Sequence, residues 1–153
     1  MSEVSILAFD PGESTGWCYK GWYLSNEGVQ WQYQGGTLPK NHQQVARKIG
    51  ELMPSVVVLE RFNLYPQMAK SLAWNSFYPC ETIGVIKFVC AEYSIPVVEQ
   101  APSVKKYFGG FQADWELVKQ TEGFKLTEHV KDAYQHLKYF ERNGLKHFES
   151  ATR

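Results

Sequence analysis

The stretch Ile6-Leu7-Ala8-Phe9-Asp10-Pro11-Gly12 decides how the rest of the sequence is interpreted. Its first four residues are apolar, which is typical of a buried strand, and the proline and glycine at its end favour a turn. Asp10 is therefore expected at the carboxyl end of an interior strand. Open α/β sheets bind their ligands beyond the carboxyl ends of strands, so this carboxylate is a candidate functional group.

A second acidic residue stands in the same kind of position. Val56-Val57-Val58-Leu59 is too short for a helix and apolar on both faces, which predicts a strand inside a parallel sheet, and Glu60 follows it directly. Neighbouring parallel strands lie about 4.8 Å apart. Asp10 and Glu60 could therefore share a metal ion.

A third feature is His129-Val130-Lys131-Asp132, at the start of a predicted helix. Positions i and i+3 lie on one helix face, so His129 and Asp132 can point together at the sheet edge. Carboxylate oxygens suit Mg²⁺ or Mn²⁺, and a neutral imidazole can join as a ligand or proton carrier. Two such ions about 4 Å apart clamp the attacking water and the leaving oxygen of a phosphodiester. The arrangement predicts phosphoryl transfer to water.

Taken singly, the three motifs also have ordinary structural interpretations. The Asp-Pro-Gly sequence could be only a turn, Glu60 only an acid at a strand end, and His129 with Asp132 only part of a solvated helix face.

The remaining pattern predicts one α/β domain over residues 1–153, with a mixed sheet and helices on both faces. Three antiparallel strands open the fold, and parallel strands alternate with helices after them. The expected strands after the first are 15–24, 28–34, 55–59 and 95–98. The expected helices are 42–53, 66–93 in two pieces around Pro79, a short one from 102 to 110, and 127–142, with a short helix and loop over 111–126.

Composition narrows the class of protein. Sixteen basic and sixteen acidic residues give zero net charge, which does not itself favour a nucleic-acid partner. No apolar run approaches the roughly 20 residues of a membrane span, and no signal peptide is evident, so a soluble, cytoplasmic protein is expected. Three widely spaced cysteines fit neither a disulfide framework nor a zinc site, and are expected to be reduced and mostly buried.

The ordered set of motifs resembles one family. Residues 6–12 with Ser14-Thr15-Gly16-Trp17 resemble the opening strand and turn of the RuvC family of Holliday-junction resolvases, and residues 56–62 resemble its second acidic strand. Further matches are Pro96-Val97-Val98, the Pro-x-x-x-Lys segment at 102–106 with Gly109-Gly110, and the His-x-x-Asp form of the final acidic motif at 129–133. The matches span residues 6 to 133. The compact length and Glu81-Thr82-Ile83-Gly84 resemble the phage-borne branch.

The resemblance implies a ribonuclease H-like fold and a nuclease that resolves four-way DNA junctions with two Mg²⁺ ions, or Mn²⁺, per site. Asp10 and Glu60 would share metal, Asp132 would complete the coordination, and His129 would bind the second ion or manage a proton.

Four other residues are implied to contact DNA. Lys105 or Lys106 would balance charge near the scissile phosphate, and the alignment leaves open which one. Phe62 and Tyr65, on the loop after Glu60, would stack on or wedge into an opened base step, although Phe62 fits the core equally well.

Other functions remain open at this point. A RuvC-like ribonuclease acting on structured RNA shares the fold, and a non-catalytic junction-binding domain would keep it without the metals. An actin-like ATPase needs two lobes and a much longer chain. Symmetric incision of a junction needs two sites, so a homodimer is expected. The helix segment suited to that interface is equally suited to the core and contains Ile83, Val85, Ile86, Phe88 and Val89.

Overall fold

The structure is a computed structural model that describes residues 4–62, 77–111 and 127–152. The five strands are β1 (Ile6–Asp10), β2 (Thr15–Ser25), β3 (Gly28–Leu38), β4 (Val56–Glu60) and β5 (Val97–Gln100). The α-helices are α1 (His42–Leu52), α2 (Tyr78–Glu92), α3 (Glu128–Asn143) and α4 (Leu145–Thr152), and a 3₁₀ helix covers Pro102–Phe111. No helix among these residues is long and apolar enough to cross a membrane.

The strands form one mixed sheet in the order β3-β2-β1-β4-β5. β1 pairs antiparallel with β2 and parallel with β4, β2 pairs antiparallel with β3, and β4 pairs parallel with β5. The predicted change from antiparallel to parallel pairing is confirmed. It places β1 and β4, the two acidic strands, side by side in the middle of the sheet.

Helices cover both faces of the sheet, as the sequence predicts. Side chains alternate across β1, so Ile6 and Ala8 face α3 while Leu7 and Phe9 face α1 and α2. Val130, Ala133, Tyr134, Leu137 and Phe140 of α3 fill the first layer. Val45 and Ile49 of α1 and Ile83, Ile86 and Cys90 of α2 fill the second. The central strands are therefore buried on both sides, which explains their continuous apolar character.

Several boundaries differ from the sequence predictions. Of the two helical pieces predicted over 66–93, the second is present as α2, with Pro79 in its first turn, where its missing N–H costs no hydrogen bond. The first piece, up to residue 76, lies outside the described ranges, as do residues 112–126. β5 ends at Gln100 rather than at residue 98. The predicted stop at Gly144 is present, because Gly144 is the C-cap of α3, but a further helix that the sequence did not predict, α4, begins directly after it. Cys18 and Cys90 are buried and form no disulfide, as expected, whereas Cys80 is exposed.

Candidate active site

Asp10 and Glu60 meet because of the strand register. Phe9 pairs with Leu59 across the parallel β1–β4 ladder, so the next residue of each strand is an acid at the carboxyl edge of the sheet. Both side chains are largely buried, with 12% of Asp10 and 18% of Glu60 exposed. The predicted pair of carboxylates at one sheet edge is present.

The first turn of α3 brings His129 and Asp132 to the same edge. Thr127 caps this helix by accepting a hydrogen bond from the backbone N–H of Val130, as its sequence position predicts. His129 Nδ1 lies 3.6 Å from Asp10 Oδ2, with about half of the histidine side chain exposed. All four residues of the predicted cluster therefore lie at one site, with His129 at its solvent-exposed side.

Lys105 holds the centre of the cluster. Its Nζ lies 2.7 Å from Glu60 Oε2 and donates a hydrogen bond of 3.3 Å to Asp132 Oδ2. Lys106, one residue later in the 3₁₀ helix, is exposed, and its Nζ lies 5.4 Å from the centre of the Tyr107 ring. Of the two lysines that the sequence left open, Lys105 is the one placed among the carboxylates.

Two functional candidates were missed by sequence reasoning. His136 on α3 lies with Nε2 2.9 Å from Glu60 Oε2, and Gln100 at the end of β5 contacts His136 in turn. The available signal was spacing, because His136 follows His129 by seven residues and Asp132 by four, which places all three on one helix face.

The pKa of Asp10 is governed mainly by the burial of its carboxyl group. Burial raises the pKa of the Asp10 carboxyl to about 6. The charges of Glu60 and Asp132 act in the same direction, while Lys105 and the hydrogen bond from His129 oppose them. Asp10 is thus the carboxyl of this cluster that is hardest to keep ionised.

Glu60 and Lys105 stabilise each other's charged forms. Burial alone would raise the pKa of Glu60, but hydrogen bonds from His136 and Lys105 outweigh it and hold that pKa below its usual 4.5. Burial would lower the pKa of Lys105, but its hydrogen bond to Glu60 and the nearby charges of Asp10 and Asp132 raise it above 10.5. Both groups are charged at neutral pH.

The aromatic residues predicted to contact DNA are only partly placed. Phe62 is half-buried, packs against the core layer of α1 and α2, and meets Phe77 edge-on with ring centres 5.7 Å apart. This position suits the core interpretation of Phe62. Tyr65 lies outside the described residues, so its contact with DNA stays a prediction.

Asp10, Glu60 and Asp132 have the type of ligand atom that a divalent cation prefers, although their side chains are not yet close enough together to bind one. In the described ranges 4–62, 77–111 and 127–152, no three His, Cys, Asp or Glu side chains are gathered closely enough to hold an ion as they stand. Lys105 supplies the positive charge instead. The donors are nevertheless carboxylate oxygens of the kind that Mg²⁺ and Mn²⁺ take. Burial raises the pKa of Asp10, with smaller contributions from the charges of Glu60 and Asp132, and a cation bound beside it would favour its ionised form.

Comparison with solved structures places this geometry on a known fold. Thermus thermophilus RuvC matches with a TM-score of 0.64 and 16% identity, over 92% of this chain and 96% of that chain. The chain has a RuvC fold. The structure of T. thermophilus RuvC in complex with a Holliday junction substrate matches with a TM-score of 0.63, 16% identity and the same coverage of both chains. The ribonuclease H-like architecture expected from the RuvC resemblance is confirmed.

Another resolvase structure matches this chain with a lower TM-score. Fowlpox virus resolvase, in a complex with substrate Holliday junction DNA, matches with a TM-score of 0.44 and 15% identity over 91% of this chain and 74% of that chain. No protein-family model matches the sequence, and no curated protein matches it significantly. The likeness to RuvC therefore lies in the fold, and the roles of individual residues rest on the geometry described above.

Proposed function

We propose that this protein is a metal-dependent, structure-specific DNA endonuclease that resolves four-way junctions. One observation carries the proposal: Asp10 from β1, Glu60 from β4 and Asp132 from α3 converge with Lys105 at the carboxyl edge of a RuvC-fold sheet. Three separate parts of the chain place acidic groups at one point, which core packing alone does not require.

The chemistry of the cluster suits phosphodiester hydrolysis. Two Mg²⁺ or Mn²⁺ ions, when bound, would polarise the phosphate and acidify the attacking water. Asp10, Glu60 and Asp132 are the residues that would supply the ligands for these ions. Lys105 carries a positive charge that can face a non-bridging phosphate oxygen. His129, half-exposed beside Asp10, either joins the ligands or holds a proton at the water or the leaving oxygen.

The substrate class rests on the fold and its relatives. T. thermophilus RuvC forms a complex with a Holliday junction substrate, and its fold covers nearly the whole of this chain. Net charge is zero, so attraction to DNA must come from local positive groups such as the exposed Lys106 rather than from the whole protein. Branched DNA is the partner that fits these observations best.

The test is cleavage of a labelled four-way DNA junction with Mg²⁺, beside a linear duplex and a structured RNA. We expect junction cleavage by the wild type and at least a 100-fold loss in Asp10→Asn, with junction binding retained. Glu13→Gln is the matched control, since it removes one exposed acidic charge whose recorded partner is Lys40 outside the cluster. Preferential RNA cleavage would favour the ribonuclease alternative, and binding without cleavage in Mg²⁺ or Mn²⁺ would favour a junction-binding domain.

A homodimer completes the proposal, because paired incision needs two sites. Some apolar residues of helix α2 are buried in the core, and others lie exposed on its outer face. Ile83 and Ile86 are buried in the core, whereas Phe88 is 67% exposed and Gly84 has open space beside it. Gly84 and Phe88 share one helix face and suit contact with a second copy. Light scattering should give twice 17.6 kDa for the wild type. Phe88→Glu should give a monomer, and a monomeric wild type with and without junction DNA would contradict the dimer.

A further inference from the structure

A buried polar pair stands behind Glu60. His136 is fully buried on α3, among core residues such as Ala133 and Leu137, and Gln100 is 8% exposed at the end of β5. Gln100 Nε2 lies 2.9 Å from the backbone oxygen of His136 and 3.2 Å from its Nδ1, while His136 Nε2 lies 2.9 Å from Glu60 Oε2. The contacts form a chain from β5 through α3 to the end of β4.

Donor and acceptor chemistry fixes the direction of this chain. A backbone oxygen only accepts, so the Gln100 atom beside it must be the amide nitrogen, and an amide nitrogen only donates. His136 Nδ1 must therefore accept. The ring proton is then assigned to Nε2, which donates to the Glu60 carboxylate. The assignment needs no charge on His136, because a neutral imidazole has one donor and one acceptor nitrogen.

Packing alone does not account for these two side chains. A leucine at position 136 would fill similar space within the α3 core layer without desolvating two ring nitrogens. The imidazole is accommodated only because Gln100 satisfies Nδ1 and the adjacent backbone oxygen, and because Glu60 satisfies Nε2. Two buried polar groups are thus matched to one carboxylate of the candidate site.

We propose that His136 and Gln100 are positioning residues that hold the Glu60 carboxylate in its working orientation. The inference rests on the proposed function for the role of Glu60. Lys105 and His136 both reach Oε2, but the Lys105 side chain is partly exposed whereas that of His136 is fully buried. His136 is therefore the fixed constraint on the carboxylate, and Gln100 holds the ring in the tautomer that can donate. Outer partners of this kind are typically worth 10- to 100-fold in metal affinity or activity.

The tautomer can be measured without metal or DNA. Nitrogen-15 NMR of the metal-free protein should show His136 Nε2 as a protonated, pyrrole-type nitrogen and Nδ1 as an unprotonated, pyridine-type nitrogen. A ring with the proton on Nδ1 would overturn the proposal, since that ring could not donate to Glu60. This readout does not depend on nuclease activity, so it separates failure of this inference from failure of the proposed function.

Two variants at one position then test positioning against a merely structural role. His136→Leu keeps the volume but removes the donor, whereas His136→Gln can place an amide N–H near the position of Nε2. We expect His136→Leu to lower Mn²⁺ affinity and the single-turnover cleavage rate by 10- to 100-fold each, with junction Kd unchanged, and His136→Gln to recover most of both. If folded His136→Leu and folded His136→Gln had equal Mn²⁺ affinities and equal cleavage rates, the proposal would be overturned.

Gln100 provides the second position if His136→Leu fails to fold. Gln100→Leu leaves the imidazole in place but removes the donor to Nδ1. The expected result is a weaker Mn²⁺ affinity, by about the same factor, with the folded sheet retained by circular dichroism. Wild-type Mn²⁺ affinity in Gln100→Leu would overturn the role of Gln100. The two proposals can fail separately. If the variants bind Mn²⁺ more weakly than the wild type, but the wild type itself cuts no branched DNA, the positioning role is supported and the proposed function is contradicted.

Discussion

Gly16 lies directly against the backbone carbonyl of His129, so closely that a Cβ at Gly16 would overlap it. Gly16 also pairs with Asp10 across the β1–β2 ladder. The first turn of α3 therefore rests on the strand position beside Asp10, and the absence of a side chain there sets the distance between His129 and the carboxylate.

Gly16→Ala should push the start of α3 away from the sheet. The obstacle is backbone rather than a flexible side-chain end, so the helix itself must move. We expect junction cleavage to fall at least tenfold, because His129 and Asp132 both move, together with a lower melting temperature. Gly50→Ala is the control: the added methyl would meet only the far end of Tyr93, and alanine favours the helix. Equal activity in Gly16→Ala and wild type would show that this contact does not set the site geometry.

His129 tests the match to the final acidic motif. His129→Asp recreates an Asp-x-x-Asp ending and should retain appreciable Mg²⁺-dependent cleavage, because a carboxylate one helical turn before Asp132 can still serve as a ligand. His129→Ala should lose most activity. The measurement is the single-turnover rate on a labelled junction. Full activity in His129→Ala would assign the histidine to a solvated helix face and leave three carboxylates in the site.

Stability should respond oppositely to neutralising the two strand-end acids. The folded pKa of Asp10 is about 6, against an ordinary value of 3.8, so the ionised form of Asp10 destabilises the metal-free fold. This destabilisation is complete above pH 6 and disappears as the pH falls to about 4. Each unit of difference between the folded and ordinary pKa corresponds to about 1.4 kcal/mol of unfolding free energy. Asp10→Asn should therefore raise the free energy of unfolding by up to about 3 kcal/mol at pH 7.5 in EDTA.

Glu60→Gln is the matched comparison. The folded pKa of Glu60 is depressed, so its charge stabilises the fold above pH 4.5 and that contribution disappears as the pH falls through the folded value. Denaturant unfolding in EDTA at pH 7.5 should show Glu60→Gln less stable than wild type. Shifts of the same sign in both variants would contradict the electrostatic description of the site.

Lys105 and Lys106 form a natural pair for a charge test. Lys105→Gln removes the cation that contacts Glu60 and Asp132, so it should slow cleavage at least tenfold. Lys106→Gln removes an exposed charge one residue away and should change the cleavage rate less than threefold, with a weaker salt dependence of binding if it meets a phosphate. The check is single-turnover cleavage with junction Kd at two salt concentrations. Similar rate losses in both would place Lys106 in the chemistry as well.

The sequence predicts the parts of the site that follow local rules. Asp10 and Glu60 end apolar runs, and His129 and Asp132 follow a helix cap, so strand ends and helix spacing suffice to place them. These rules do not identify His136, because its role depends on its contact with Gln100. The predicted last strand, 95–98, ended two residues before Gln100. A buried histidine in a helix also looks like any other core position until its partner strand is known.

The division of the site between distant parts of the chain bears on biosynthesis. Asp10 and Glu60 emerge from the ribosome with the strands that build the sheet, whereas Asp132 and His136 follow roughly seventy residues later on the helix that packs over β1 and β4. Domains generally fold as units, so this domain cannot complete its core before α3 has been synthesised. A nascent or prematurely terminated chain that ends before α3 thus holds two of the three acidic residues, Asp10 and Glu60, and lacks the helix that covers one face of β1 and β4. The proposed active site is therefore complete only after the last long helix has been synthesised and has packed onto the sheet.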